Sequence, residues 1–384
     1  MTDAASPAPL SPSRAFVRSV LAPPQPPPAS TVGAGAWVRT NLFGSLSDGV
    51  LTLLGLAAAL LVARAVIDFA VLRAVWQGDS GEVCRIEGAG ACWPYVTAFW
   101  KQFLFGRYPA EERWRAWLTF AAFFGLLAPL MIPRVPFKRA NALLFFVGLP
   151  IFAYVMLCGG SFGLVEVETT MWGGLLVTMV VAVTGIVCSL PIGILLALGR
   201  RSQMPVVRML SIVFIEFWRG VPMITVLFMA ANMLPLFMPE GVDVDKLLRA
   251  LVGVAIFTAA YLAETIRGGL AAIPKGQYEG AMALGLGYWR MMGLIIMPQA
   301  LKLVIPGIVN SFISLFKDTT LVLIVSIFDL LGMIQGSRND PIWSSPTTGA
   351  TGYLVAAVIF WCFCFGMSRY SQWMERRLAT GHKR

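Results

Sequence analysis

From residue 46 onward the chain is dominated by apolar runs, each near the length of a bilayer-crossing helix and separated by polar breaks. A span needs about 20 predominantly apolar residues. Eight segments approach or exceed that length: 46–72, 116–132, 141–158, 172–198, 209–238, 247–266, 300–324 and 352–368. None alternates in the two-residue period of a membrane β-barrel strand, so the pattern predicts an all-α polytopic membrane protein. The first 45 residues differ in kind. With "PAPLSPS" and "LAPPQPPPAS" they lack an apolar core for a signal peptide and read as a flexible, extended, proline-rich arm. Trp37 to Phe43, "WVRTNLF", reads as an interfacial lead into the first span.

Composition agrees: 57% of residues are hydrophobic and 13% charged, against about 25% charged in soluble domains. The formal net charge of +10 is explained by where the basic residues fall. Lys and Arg accumulate on the cytoplasmic side of membrane proteins. With a cytoplasmic N-terminus, the inner segments hold 18 Lys and Arg and the outer ones 9. Both termini are then expected inside, including a basic tail at 371–384. The long outer loop, about 73–115, obeys the rule least, as long loops do. No soluble basic face exists for nucleic acid.

Metal and hydrolytic chemistry are excluded on simple grounds. The single histidine, His382, lies in the basic tail, and no HExxH motif, nucleophile elbow or Ser/His pairing is present. No GxxxxGK[ST] loop occurs either, so if ATP drives this protein another subunit binds it. Cys158, Cys188, Cys362 and Cys364 lie in or beside spans and read as small buried hydrophobes. Cys84 and Cys92 share the outer loop, where an oxidising compartment permits a disulfide.

Polar residues inside the membrane are costly and therefore informative. In the first three spans, Arg64 and Asp68 stand at i, i+4 spacing, from which mutual pairing is available. From residue 172 polar motifs multiply: "EFWRGVP", "AETIRGGLAAIPKGQYEGA" and "LFKDTTL". Between the sixth and seventh spans Pro274 sets a turn, Gln277 to Leu284 can form about two helical turns, and Gly285 and Gly287 end them. Tyr278, Ala281, Met282 and Gly285 fall on neighbouring faces of that helix, a shallow knob suited to a groove in another protein.

Here the sequence resembles a family. "EGAMALGLGYWRMMGLIIMPQA" is similar to the EAA loop of ABC-importer permeases, with Glu279, Gly280 and Ala281 at the three letters, Gly285 at the glycine and Pro298 at the proline. Gly280 stands where that pattern has alanine. "EFWRGVPMITVLFM", "AYLAETIRGGLAAIPKGQYEGA" and "NSFISLFKDTTLVLIVSIFDLLG" resemble successive motifs of the polar amino-acid permeases, over about 172–370. The three preceding spans and proline-rich arm resemble the longer permease subunit of general L-amino-acid importers.

The resemblance implies a type I ABC-importer core of five helices (172–370, with the EAA loop at about 267–299), preceded by a three-helix unit (46–158). It also implies a bacterial inner-membrane location, amino acids as substrate, a periplasmic binding protein, a second permease subunit and two ATPase subunits that hold the ATP. Glu279, Gly280, Ala281 and Gly285 become the ATPase-coupling residues. Lys317, Asp318, Thr319 and Thr320 become substrate-pathway candidates, with Asp318 facing an ammonium and Lys317 a carboxylate. A Lys317–Asp318 or Asp318–Arg219 ion pair is the structural alternative. Glu216 and Arg219, nearer the cytoplasmic end, suit a gate or scaffold. The rival class is a stand-alone secondary transporter, which should show an inverted repeat; none is visible.

Overall fold

The computed structural model describes residues 33–132, 134–239, 241 and 244–378. Most of the proline-rich arm and His382 lie outside the described residues. Those residues are helical, with no strand and only isolated bridges such as Val75 with Cys92. Seven helical stretches are long and apolar enough to cross a membrane, or eight if one sharply bent pair counts as a span.

Packing divides the chain at residue 67. The first unit holds α1 (Ala34–Leu42) and α2 (Leu46–Ile67). Thr52 Oγ1 donates to the Leu42 carbonyl at 2.8 Å. No side chain of α2 is buried, so leucines 46, 51, 54, 60 and 61 form an uncovered apolar surface. That suits lipid and no aqueous solvent.

The second unit, 68–384, opens on a π-turn, Asp68–Leu72. Asp68 pairs with Arg73 here, so the expected i, i+4 partner Arg64 is displaced by a residue five positions on. The long loop at about 73–115 is itself partly helical. It contains α3 (Trp93–Phe105), in which Tyr95 and Phe103 are fully buried. Next come α4 (Arg113–Met131), α5 (Lys138–Leu143) and α6 (Leu149–Cys158). The five-span region follows with α7 (Gly174–Arg200), α8 (Pro205–Gly220), α9 (Met223–Phe228) and α10 (Lys246–Ala271). It ends with α11 (Lys275–Ala283), α12 (Tyr288–Met291), α13 (Met297–Asp318), α14 (Leu330–Ser337) and α15 (Thr348–Leu378).

The expected boundary between 158 and 172 is not the one the packing draws. Tyr95 and Phe103 of α3 share a core with Leu330, Ile334, Val355 and Ala356. Phe120 and Leu157 share another with Leu176, Val181 and Val254. The segment from α3 to α6 is therefore built into the later helices.

Two local chemistries shape the bundle. The 209–238 segment, expected as one span, breaks by 103° between α8 and the helix Met223–Phe237. Pro222 has no N–H to continue the ladder and restricts Val221 to extended backbone, ψ 134°. The α7–α10 contact is close because small residues line it. A Cβ on Gly193 would stand 2.9 Å from Leu262 Cβ, and Ala259, Ala260 and Ala263 are fully buried nearby in α10.

Candidate functional site

The short helix α11 is held by its inward side. Pro274 precedes it with φ −58° and ψ 142°, turning the chain out of α10. Its C-terminus closes as a Schellman motif: Leu286 N–H donates to the Ala281 carbonyl at 3.2 Å and Gly285 N–H to the Met282 carbonyl at 2.9 Å. Gly285 has φ +71°, the left-handed conformation that motif requires and glycine adopts without strain. Ala281 is buried with Ile273, Met291 and Ile296. Tyr278 OH donates to the Leu270 carbonyl at 3.3 Å, while Arg201 stacks over its ring. Gln299 Nε2 donates to Gln277 Oε1 at 3.1 Å, tying the helix to α13.

The exposed side carries Glu279, Gly280, Met282 and Leu284, with Trp289 exposed just beyond. The expected knob is therefore corrected. Ala281 and Tyr278 face inward as anchors, because α11 is too short to be fixed by its ends alone, and Glu279 with Met282 forms the surface instead. Gly280 has open space where a Cβ would stand.

At the same end of the bundle, five charged residues from three helices meet. Arg200, the last residue of α7, reaches Glu216 of α8 at 2.7 Å and Glu264 of α10 at 3.4 Å. Glu264 also takes Arg267 at 2.5 Å and Arg219 at 3.9 Å. Arg219 stacks over the Tyr261 ring, and its Nε is buried without a hydrogen-bond partner. A partly exposed ion pair alone contributes about 0–1 kcal/mol. A five-membered network does something else: it fixes the relative positions of α7, α8 and α10 where α8 is about to bend. Glu216 and Arg219 were anticipated here; Arg200, Glu264 and Arg267 were not. The i, i+3 spacing of Glu264 and Arg267 was a readable signal.

The third group stays apart from this network. Lys317 is exposed, Asp318 half-buried and Thr319 buried. Thr319 Oγ1 donates to the Phe316 carbonyl at 2.8 Å, and Thr320 Oγ1 to the Lys317 carbonyl at 2.9 Å. Both hydroxyls are thus spent on closing α13 as it tightens into the 3₁₀ turn Thr319–Val325. Neither the Lys317–Asp318 nor the Asp318–Arg219 ion pair is formed; among the described residues Asp318 has no ion-pair partner.

At the far end of the bundle Cys84 and Cys92 are joined by a disulfide, with Cα atoms 5.8 Å apart. Cys92 N–H donates to Thr351 Oγ1 at 2.9 Å, fixing the loop to α15. Asp329, which sequence reasoning passed over, is fully buried and caps α14 through Oδ1 to Gly332 N–H at 2.9 Å, leaving Oδ2 without a partner. Burial pushes its carboxyl up to about 6, against the opposing pull of the Gly332 and Leu331 backbone N–H groups. Among the described residues no cluster of His, Cys, Asp and Glu could hold a metal ion.

Residues 189–380, which contain α11 and the whole ion network, match the model of the family described as "Binding-protein-dependent transport system inner membrane component". The chain is 50% identical, over 94% of its length and 97% of the relative's, to the inner membrane amino-acid ABC transporter permease protein YhdY of Escherichia coli (strain K12). It is 41% identical, over 96% of its length and 99% of the relative's, to the glutamate/glutamine/aspartate/asparagine transport system permease protein BztC of Rhodobacter capsulatus. Among solved structures, a crystal structure of an amino acid ABC transporter with histidines is 26% identical. It covers 53% of this chain and 92% of that one at a TM-score of 0.47.

Proposed function

The chain belongs to the family of binding-protein-dependent transport system inner membrane components, and from that premise we propose that it carries amino acids across the bacterial inner membrane. In this reading a periplasmic binding protein delivers the amino acid. The path is shared with a second permease subunit, two ATPase subunits bind and hydrolyse ATP, and both termini are cytoplasmic. Relatives named for amino-acid transport, similar along nearly their whole length, support the substrate class.

One observation carries the mechanism: α11 presents Glu279 and Met282 outward while Tyr278 fastens it to α10, Gln277 to α13, and Ala281 is buried beneath it. A push on its exposed side has no soft joint to be lost in. It passes into α10, whose Glu264 and Arg267 belong to the ion network that also holds α7 and α8. The ATPases would thus move a set of helices as a body, and the network would break or re-form as the inner end of the path opens and closes. Asp318, a carboxylate without an ion-pair partner among the described residues, remains available to a substrate ammonium.

The test is reconstitution. The chain should copurify with an ATPase, and proteoliposomes of the assembly should accumulate amino acid only with ATP inside and binding protein outside. Uptake by the chain alone, driven by an ion gradient, would establish the stand-alone transporter instead.

A further inference from the structure

The loop closed by Cys84 and Cys92 is fastened to the stretch 342–351, which leads from α14 into α15. Gly81 N–H donates to the Ile342 carbonyl at 2.9 Å, Arg85 Nε–H to the Ser344 carbonyl at 3.1 Å, and Cys92 N–H to Thr351 Oγ1 at 2.9 Å. A Cβ on Gly81 would stand 2.8 Å from the Trp343 carbonyl, so the two segments touch backbone to backbone. The second segment is fixed in turn by Asp340, whose Oδ1 accepts from Ile342 N–H at 2.9 Å and Trp343 N–H at 3.2 Å. Together they make one rigid ledge at the end of the bundle where α7 begins, since Gly174 bridges to Asp329 there. Arg200 and α11 lie at the other end.

Each segment of the ledge holds one isoleucine out into the surroundings: Ile86 is 68% exposed and Ile342 60%. A lone exposed isoleucine is ordinary. Two of them on segments bonded to each other, beside exposed Asp79, Glu82 and Glu87, have the anatomy of a protein interface, an apolar centre with a charged rim. The rim is acidic, because Arg85 is the one cation between residues 79 and 92. None of the three acids has an ion-pair partner among the described residues. The disulfide belongs to an oxidising compartment, hence to the side away from the cytoplasm. The loop is also pre-organised, so a partner need not order it on binding.

We propose that this ledge is where the binding protein lands on the chain, and that the partner offers an apolar socket with a basic rim. The proposal rests on the transport reading above and adds to it the surface that meets the partner. The family's description names dependence on a binding protein, and a soluble partner arriving from outside must meet this end of the bundle. The acids guide the basic rim in, and Ile86 and Ile342 seat in the socket. The contact also has a route inward. Tyr95 OH and Ser337 Oγ, 2.6 Å apart, join α3 to α14, and Leu330 N–H at the start of α14 donates to Thr178 Oγ1 of α7 at 3.1 Å. The opposite end of α7 is Arg200, a member of the ion network. Load on the ledge therefore reaches that network along a single helix.

The test uses the full assembly in lipid nanodiscs and, as probe, the fluorescently labelled binding protein that activates uptake in the reconstitution above. Ile86→Asp with Ile342→Asp should raise its Kd at least tenfold, the scale of losing interface anchors. The assembly should melt as the parent does, because both side chains are exposed. Glu82→Lys with Glu87→Lys should slow association about tenfold at low salt and less at high salt, the mark of electrostatic steering. A photoreactive benzophenone side chain at position 86 or 342 should crosslink to the binding protein. An unchanged Kd in the isoleucine pair would overturn the proposal, as would crosslinks formed from position 162, on the exposed α6–α7 loop, and from neither 86 nor 342. Either result leaves the transport reading standing. An assembly that no binding protein activates would overturn that reading and the ledge together.

Discussion

Arg200 Nη1 and Glu216 Oε1 lie 2.7 Å apart, joining the last residue of α7 to the fourth turn of α8. The same guanidinium nitrogen lies 3.4 Å from Glu264, so Glu264 competes with Glu216 for it while holding Arg219 and Arg267. An arrangement in which one cation is shared between carboxylates on two helices can re-partner when those helices shift. Arg200→Met and Glu216→Gln should each lower the melting temperature slightly, and the double substitution should cost less than their sum, with a coupling of roughly 0.5–1 kcal/mol. Glu264→Gln should do more, because it removes the acceptor of three arginines. Its expected signature is ATPase activity that no longer depends on the binding protein. Strict additivity of the first pair would remove the network from the mechanism.

Charge on α11 tests coupling separately from folding. Glu279 is exposed and has no ion-pair partner among the described residues, so Glu279→Lys should insert and melt as the parent does yet lose substrate-stimulated ATPase activity and uptake. Gly280→Ala meets open space and should be neutral or stabilising by up to about 1 kcal/mol, the helix-propensity difference between the two residues. Gly285→Ala should impair the helix end, since its φ of +71° disfavours any side chain. Thermal melts and uptake assays on the three variants separate these outcomes.

How much of this was legible depends on where the partners lie. The spans and the loop helix are written in short stretches of sequence, and the structure supports them: Pro274 opens α11 and Gly285 closes it. The break at Val221–Pro222 was also present in "RGVP", but the apolar run on either side hid it. The ion network was invisible as a unit because Arg200, Glu216 and Glu264 come from three helices and no local spacing relates Arg200 to Glu264. Arg200 had been absorbed into the count of cytoplasmic charge. Helix α3 was missed because Lys101, Arg107 and the nearby acidic residues made its surroundings look like solvated loop. Its Tyr95 and Phe103 find their cover more than 220 residues later, at Leu330 and Ile334.

Asp329 predicts a pH dependence with a definite sign. Its carboxyl lies at about 6 in the folded protein, raised by burial from the ordinary aspartate value of about 4. The folded state therefore binds the proton more tightly than the unfolded state. Its protonation stabilises below the unfolded pKa, and this contribution is lost as pH rises from about 4 through 6, amounting to roughly 3 kcal/mol for a fully buried group. Asp329→Asn keeps an oxygen to cap Gly332 and removes the buried charge. At pH 7.5 it should melt no lower than the parent, and its melting temperature should change less between pH 7.5 and 5. An unchanged pH slope would show that Asp329 does not titrate in this range.

The disulfide predicts an exposure experiment. Cys84 and Cys92 should resist thiol reagents applied to unreduced membranes, then label after reduction and denaturation, since both are buried. Cys84→Ser with Cys92→Ser should lower stability by about 2 kcal/mol, at the low end of the usual range because the closed loop is short. Because Cys92 N–H anchors to Thr351, limited proteolysis should then cut within 73–92 first.

Asp318 gives the sharpest division between contact and scaffold. A carboxylate locked in a buried ion pair destabilises the fold when its partner is removed, by about 3–5 kcal/mol, and a compensating change at Lys317 then restores it. The structure contains no such pair, and Thr319 and Thr320 are satisfied by the carbonyls of Phe316 and Lys317. Asp318→Asn should therefore assemble and melt normally. If Asp318 receives the substrate ammonium, uptake of every amino acid should fall while ATPase activity still responds to the binding protein, because α11 is untouched. Lys317→Met should affect substrates through their carboxylate, and combining the two should compound the loss. A double mutant that recovers full uptake would place both residues in the scaffold and move the search for the substrate contact to the partner permease.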